Sequence, residues 1–317
     1  MMKLNEQVRL NRWINMGVIW VFLLLVVLPN QVRSSSVEND VQLQILGSGG
    51  PEFGDQRASS SYLIWVNGKA KILVDAGAGS GFNFEKTKAK IEDLEAILFT
   101  HLHVDHSADL PAFIKASFFS GRDRDLPVLG PVGNSLMPST SEFVQNLLGN
   151  EGAFRYLKDY VNNSQSRSYH LQMRNMAIAP KTVQRYQLTK DILLEAIPVH
   201  HGPIPAIAWR INTFGYSITF SGDMSNNYQT LPILAKDTDI LVMHNAVPES
   251  AAGVAAILHM KPSEIGEIAR KAQAKQLVIS HRMQRTLGQE QQTRQYIEQN
   301  YTGSILFADD LDLVKTK

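Results

Sequence analysis

Three histidines and an aspartate fall within Thr100-His101-Leu102-His103-Val104-Asp105-His106, directly after the apolar run Ala96-Ile97-Leu98-Phe99. That run is short, follows a charged segment and predicts a buried strand. Side chains two apart on an extended chain share a face, so His101 and His103 can converge on one point. Asp105 and His106 come where the chain should bend into a helix over 108–118, and they face a second, adjacent point. Neutral imidazoles with a carboxylate suit zinc or another first-row divalent ion, and two neighbouring ligand pairs suit two ions. Cysteine is absent. Disulfides, thiolate nucleophiles, thiolate metal sites and cysteine-linked lipid are therefore excluded, and any metal must rest on histidine and carboxylate.

Most of the remaining chemistry-bearing residues follow one rule: they come where an apolar strand ends. Val41 to Leu46 alternates as a half-buried strand and runs into Gly47-Ser48-Gly49-Gly50-Pro51. This glycine-rich turn lacks the lysine and the helix of a phosphate loop, so it is expected at the rim of a site. Ser61–Val66 and Lys71–Val74 flank the hairpin signal Asn67-Gly68, and the second strand ends at Asp75. Leu193–Val199 leads to His200-His201-Gly202-Pro203, Tyr216–Phe220 to Ser221-Gly222-Asp223, Ile240–Met243 to His244, and Gln276–Ser280 to His281. Sheets whose strand ends converge on a cleft produce such a pattern. Helices are expected over 83–94, 141–149, 153–162, 262–272 and 288–299, with a short strand at 127–129 and two more near 304–307 and 311–314. His170 sits in no motif and reads as a surface residue.

With 317 residues, 44% hydrophobic and 19% charged, the chain suffices for one large domain or two modest ones. Lys3, Arg9 and Arg12 precede an apolar run from Met16 to Leu28, which Pro29 and Asn30 end. A basic start before about a dozen apolar residues predicts a secretory signal rather than a full membrane span. Residues 1–34 are therefore expected to be a signal peptide or, if uncleaved at Val32-Arg33-Ser34, an N-terminal membrane anchor. Residues 35–40 read as a linker and 41–317 as the folded domain, periplasmic or secreted. Outside residues 1–34 the formal charge is −2, and no strong sign of nucleic-acid binding is present.

The run His-x-His-x-Asp-His after a strand resembles the metal motif of the metallo-β-lactamase superfamily, and its further motifs occur in order across 41–317. The resemblance implies an α/β fold, a four-layer αββα sandwich with a dinuclear site along one edge of the two sheets. Carried over, one metal would take His101, His103 and His201, the other Asp105, His106 and His281, with Asp223 bridging. His201 is preferred to His200 because the family ligand directly precedes glycine. Asp75 would orient the histidine loop, and His244 would stand behind the metals. The implied cofactors are two Zn2+, with iron or manganese as substitutes. Two cations about 3.5–4 Å apart can share a hydroxide that attacks an ester. Asp105 and His259 are the expected catalytic groups, His259 assisting the leaving group from a helix entry, as in the ribonuclease Z branch.

The bridging Asp223 argues against lactam cleavage, since lactamase branches lack it. The segment His103 to Ala112 is similar to secreted arylsulfatases of this fold, which implies an exported hydrolase of small phosphate or sulfate esters, arylsulfatase- or phosphodiesterase-like. The alternative is ribonuclease Z activity on tRNA 3′ ends. Against it stand His244-Asn245-Ala246-Val247 for that branch's His-Glu-Ala-Thr, and Met260-Lys261 for its Ser-Thr. A non-catalytic metal-binding protein is the third reading. The partner expected is a small ester, with a membrane only if the N-terminal segment stays attached and a homodimer left open. Selectivity is expected to reside between the metal loop and His200, over residues 119–175.

Overall fold

The computed structural model describes residues 39–162 and 166–316. The expected signal or anchor, and the linker up to residue 38, lie outside the described residues. Six strands lead into the first sheet: β1 (Val41–Gly47), β2 (Ser61–Val66), β3 (Lys69–Val74), β4 (Ala96–Leu98), β5 (Leu126–Pro131) and β6 (Leu171–Met176). The second sheet takes β7 (Gln184–Thr189), β8 (Ile192–His201), β9 (Ile204–Thr213), β10 (Tyr216–Phe220), β11 (Ile240–His244), β12 (Gln276–Ser280) and β13 (Ser304–Phe307). A last strand, β14 (Leu313–Lys315), returns to pair with β1, so the orders are β14-β1-β2-β3-β4-β5-β6 and β13-β12-β11-β10-β9-β8-β7.

Each sheet is antiparallel on one side and parallel on the other. In the first, β3 through β6 run parallel; in the second, β10 through β13 do. Parallel strands need crossovers, and helices supply them. On the first sheet these are α1 (Ser80–Lys86), α2 (Val104–Ser107), α3 (Leu110–Ser117) and α4 (Thr140–Leu148). On the second they are α5 (Leu231–Leu234), α6 (Gly253–Leu258), α7 (Pro262–Ala272) and α8 (Glu290–Glu298).

Alternation of side chains divides the core into three layers. Leu43, Ile45, Ile64, Val74 and Leu98 of the first sheet meet Ile207, Trp209, Phe220 and Val242 of the second. On the outer faces, Leu63, Leu73 and Ile97 pack with Phe113, Ile114 and Val144 of the helices. Leu241, Met243 and Ile279 pack with Ile265, Ile268 and Ile297. The result is the expected αββα sandwich.

Several local expectations need correction. The helix over 108–118 is α3, with the separate single turn α2 before it on the metal loop; that over 83–94 is α1 followed by a 3-10 turn at Ile91–Asp93; that over 153–162 is a 3-10 segment, Arg155–Tyr160. The edge strands β6 and β7 were not expected. Their sequences, LQMRNM and QRYQLT, are mostly exposed or half-buried and contain no apolar run to reveal them.

Candidate metal centre

Parallel register brings the strand ends together. Val74 is opposite Leu98 and His244 opposite Ser280, so Asp75 lies beside the metal loop and His244 beside His281. The second sheet holds the loop directly: Ile207 N donates to the Thr100 carbonyl at 2.9 Å, and the Trp209 indole N–H to the Phe99 carbonyl at 2.9 Å. Asp75 and His281 adopt left-handed backbone, with φ of 55° and 50°, a conformation that bulky residues avoid unless their surroundings impose it. Gly222, at φ 60°, is pressed against Thr100; a Cβ there would come within 2.7 Å of the threonine Cβ.

Two sets of ligand atoms result. His101, His103, His201 and Asp223 bring one atom each to within 4.8 Å of one another, as do His106, His281, His244 and Asp223. Asp223 is common to both, and its two oxygens divide between them. Oδ2 lies 3.9 Å from His201 Nε2, while Oδ1 lies 3.3 Å from His281 Nε2 and 3.7 Å from His106 Nε2. Asp105 Oδ2 joins the second set at 3.2 Å from His281 Nε2 and 3.5 Å from His106 Nε2. His244 is near enough to count as a ligand, but both its nitrogens are engaged. Nδ1 meets Asp223 Oδ1 at 2.7 Å, and Nε2 meets the Tyr62 hydroxyl at 3.0 Å. It positions the shared carboxylate.

The donor set fits divalent cations. Nε2 of His101, His106 and His201 is buried and meets no hydrogen-bonding partner among the described residues. Each such orphan costs roughly 1–3 kcal/mol if nothing binds it. Meanwhile the opposite nitrogens are held in place. His106 Nδ1 donates to Asp75 Oδ2 at 2.8 Å, His201 Nδ1 to the Leu258 carbonyl at 3.0 Å, and His101 Nδ1 lies 3.2 Å from Thr100 Oγ1. Asp75 also accepts from Thr100 N at 2.7 Å and Thr100 Oγ1 at 2.8 Å. Locking one imidazole nitrogen so that the other presents its lone pair is how metal sites fix tautomer and direction.

Charge differs across the site. Burial, joined by neighbouring imidazoles, pushes His101 well below the usual histidine range. Burial likewise lowers His103 and His201, against the pull of nearby carboxylates. Burial would lower His106 too, but Asp105, Asp75 and Asp223 outweigh it and raise it to about 9. For Asp105 the opposite balance holds: burial works to raise it, while His106 and His281 bring it down to about 2.

His259 lies on the pocket wall with Nδ1 3.8 Å from Asp223 Oδ2. Burial pushes it down to about 4, despite the pull of Asp223, so it is neutral at pH 7. It does not open a helix, as expected from sequence; it follows the last residue of α6 in extended conformation. The next helix cannot reach back to it, because a proline disfavours helical backbone in the residue before it. Lys261 is accordingly extended, and α7 starts only at Pro262.

His200 turns away from the cluster, with Nδ1 2.7 Å from Ser225 Oγ and its ring against Tyr228. His170, expected at the surface, is half-buried away from the cluster, with Nδ1 3.7 Å from Asp125 Oδ1. Sequence reasoning missed Tyr62, whose hydroxyl also lies 3.0 Å from Ser280 Oγ. It missed Thr100 and the Leu258 carbonyl as well. The pocket over the site is lined by Pro51, His103, Asp105, His201, Asp223, Leu258, His259, His281 and Met283. No described residue of 119–175 is among them, so the described part of the expected selectivity region does not line this pocket.

Imidazoles and carboxylates gathered at the strand ends of two packed sheets define a metal-dependent hydrolase acting on ester bonds. The model of the beta-lactamase superfamily domain matches residues 70–282, and the chain belongs to that superfamily. Ribonuclease Z of Mycobacterium bovis is 26% identical over 297 residues, covering 87% of this chain and 98% of that protein. The metallo-beta-lactamase fold protein YhfI from Bacillus subtilis superposes with a TM-score of 0.69 at 19% identity, over 88% of this chain and all of that one. The short form of human tRNase Z gives 0.66 at 20% identity, over 87% and 99%.

Proposed function

We propose that this chain is an exported, dinuclear zinc hydrolase of small phosphate or sulfate esters, with iron or manganese able to replace zinc. The observation that carries the reading is the pocket. It holds about 170 Å³ above the shared Asp223, and no Lys or Arg lines it among the described residues. A small cleft without cations suits a small ester better than a polynucleotide, whose backbone contacts call for basic side chains. The basic, apolar N-terminal sequence supports export.

Bound divalent cations supply Lewis-acid activation of the ester and of water. The chain's residues do the rest. Asp223 spans the two ligand sets, Asp105 completes the second, and Asp75, His244 and Leu258 hold their partners in orientation. His259, neutral at pH 7, donates a hydrogen bond to the leaving oxygen.

The second reading, cleavage of tRNA 3′ trailers, is favoured by the similarity to Mycobacterium bovis ribonuclease Z along nearly its whole length. One experiment separates them. Purified full-length protein of known metal content is given a nitrophenyl sulfate, bis-nitrophenyl phosphate and a precursor tRNA, with Asp223→Ala as control. Faster turnover of the small esters, lost in the variant, supports the first reading. Efficient trailer cleavage with slow small esters replaces it by the second.

A further inference from the structure

The helix α6, Gly253-Val254-Ala255-Ala256-Ile257-Leu258, has no charged side chain and buries none of its residues. Val254 is 71% exposed and Ile257 52%. Surface helices ordinarily turn a polar face outward, so a wholly apolar exposed one calls for an explanation. It is tied to the metal centre. The Leu258 carbonyl accepts from His201 Nδ1, and its side chain packs so closely on Gly202 that a Cβ there would come within 2.6 Å of Leu258 Cδ2. Leu258 lines the pocket, and Val254, four residues earlier, shares its helix face.

The rest of the lining outside the metal-site residues and His259 is apolar as well. Pro51 and Met283 line the pocket, and Phe53, two residues after Pro51 and outside the lining, is 94% exposed. The Phe53 carbonyl is held at 2.7 Å by Gln284 Nε2, next to Met283. The cations flanking Met283 in the chain are engaged elsewhere: Arg282 bonds Glu290 and Asp309, while Arg285 Nε donates to the Ala246 carbonyl at 2.6 Å and its terminal nitrogen lies 3.3 Å from Met283 Sδ. Apart from the metal-site residues and His259, every side chain lining the pocket is therefore apolar.

We propose that the rim formed by Val254, Leu258, Pro51, Phe53 and Met283 binds the alcohol portion of the ester, and that this portion is an alkyl or aryl group. The inference rests on the ester-hydrolase reading above and narrows it. A hydrocarbon group laid along the rim leaves water together with side chains that are exposed when the site is empty.

The test measures binding separately from turnover. Calorimetric titration of the metal-loaded full-length protein with n-alkylphosphonates from methyl to octyl should give affinity rising about two- to fourfold per methylene until the rim is covered. Val254→Asp and Phe53→Asp, made separately so that one folding failure does not decide the matter, should each cut the octyl-to-methyl affinity ratio about tenfold or more. A ratio near one in the unaltered protein overturns the proposal, as does tighter binding of a nucleoside phosphonate than of the octyl compound. A rising series with no ester hydrolysed supports the rim and removes the catalytic reading instead.

Discussion

The two halves of the candidate metal centre hold similar side chains in opposite electrostatic states. His101, His103 and His201 are kept neutral by burial, so they offer lone pairs at ordinary pH. His106 and His281 lie among Asp75, Asp105 and Asp223, whose charges outweigh burial and favour the protonated rings. A cation entering the first half would find bases ready, whereas one entering the second would have to displace protons. The shared Asp223 is held well below the usual carboxylate range, since His281, His106 and the bond from His244 overcome the burial that would raise it. Loading is thus expected to be sequential and to depend on pH chiefly in its second step.

The strongest challenge to this comparison is Asp223→Ala, which strikes both halves at once. Hydrolysis should fall about 10³-fold or more, beyond the roughly 10²-fold that loss of an orienting partner costs, and metal per chain should drop in elemental analysis. Full metal content would mean that the halves are independent. His259→Ala, outside both halves, should lower kcat about 10²–10³-fold, as removal of a donor to a developing charge does, with metal content retained. Loss of metal would make it a member of the first half. Asp75→Asn should weaken metal affinity about 10–100-fold, more for the second ion than the first, because His106 leans on this carboxylate.

Tyr62→Phe removes one buried hydroxyl worth about 1 kcal/mol, so a loss of about fivefold in affinity for the ion that Asp223 helps to hold is expected. The smallest effect is on thermal stability. For His106, raised above its unfolded value near 6.5, stabilisation of the metal-free protein is fully present below that value and is lost as pH rises through about 9. The melting temperature of metal-free protein should therefore fall by a few degrees between pH 6.5 and 9, and added zinc should raise it more at pH 9. Equal gains at both pH values would erase the distinction between the halves.

The fold and the clustering of these side chains were legible because polar residues at the ends of apolar strands have few structural reasons to be there. His101, His201, Asp223 and His281 carry that mark and the structure gathers them, while Asp75, which carries it too, bonds His106. What supports them was not legible. Tyr62 looks like any inward residue of a strand, and only the packing of one sheet on the other sets its hydroxyl against His244. The pairing of His244 Nδ1 with Asp223 likewise depends on register between strands far apart in sequence. The pocket walls were misplaced for another reason. Residues 119–175 look like an insertion beside the metal loop, yet the side chains at the cleft come from the turn at Pro51, the end of α6 and the loop after β12.

Neither sheet owns a complete centre: Asp75 and the His101–His106 loop follow strands of one, and His201, Asp223 and His281 follow strands of the other. During synthesis the first sheet's ligands leave the ribosome long before His281, so the nascent chain cannot assemble both sets of donors until 281 has emerged. Cations held by both sets of donors would act as a clasp between the layers, and pulling the sheets apart would mean surrendering them. Metal retention thereby becomes a gauge of whether the sandwich has closed, readable by a chelator that competes only with chains whose layers have parted.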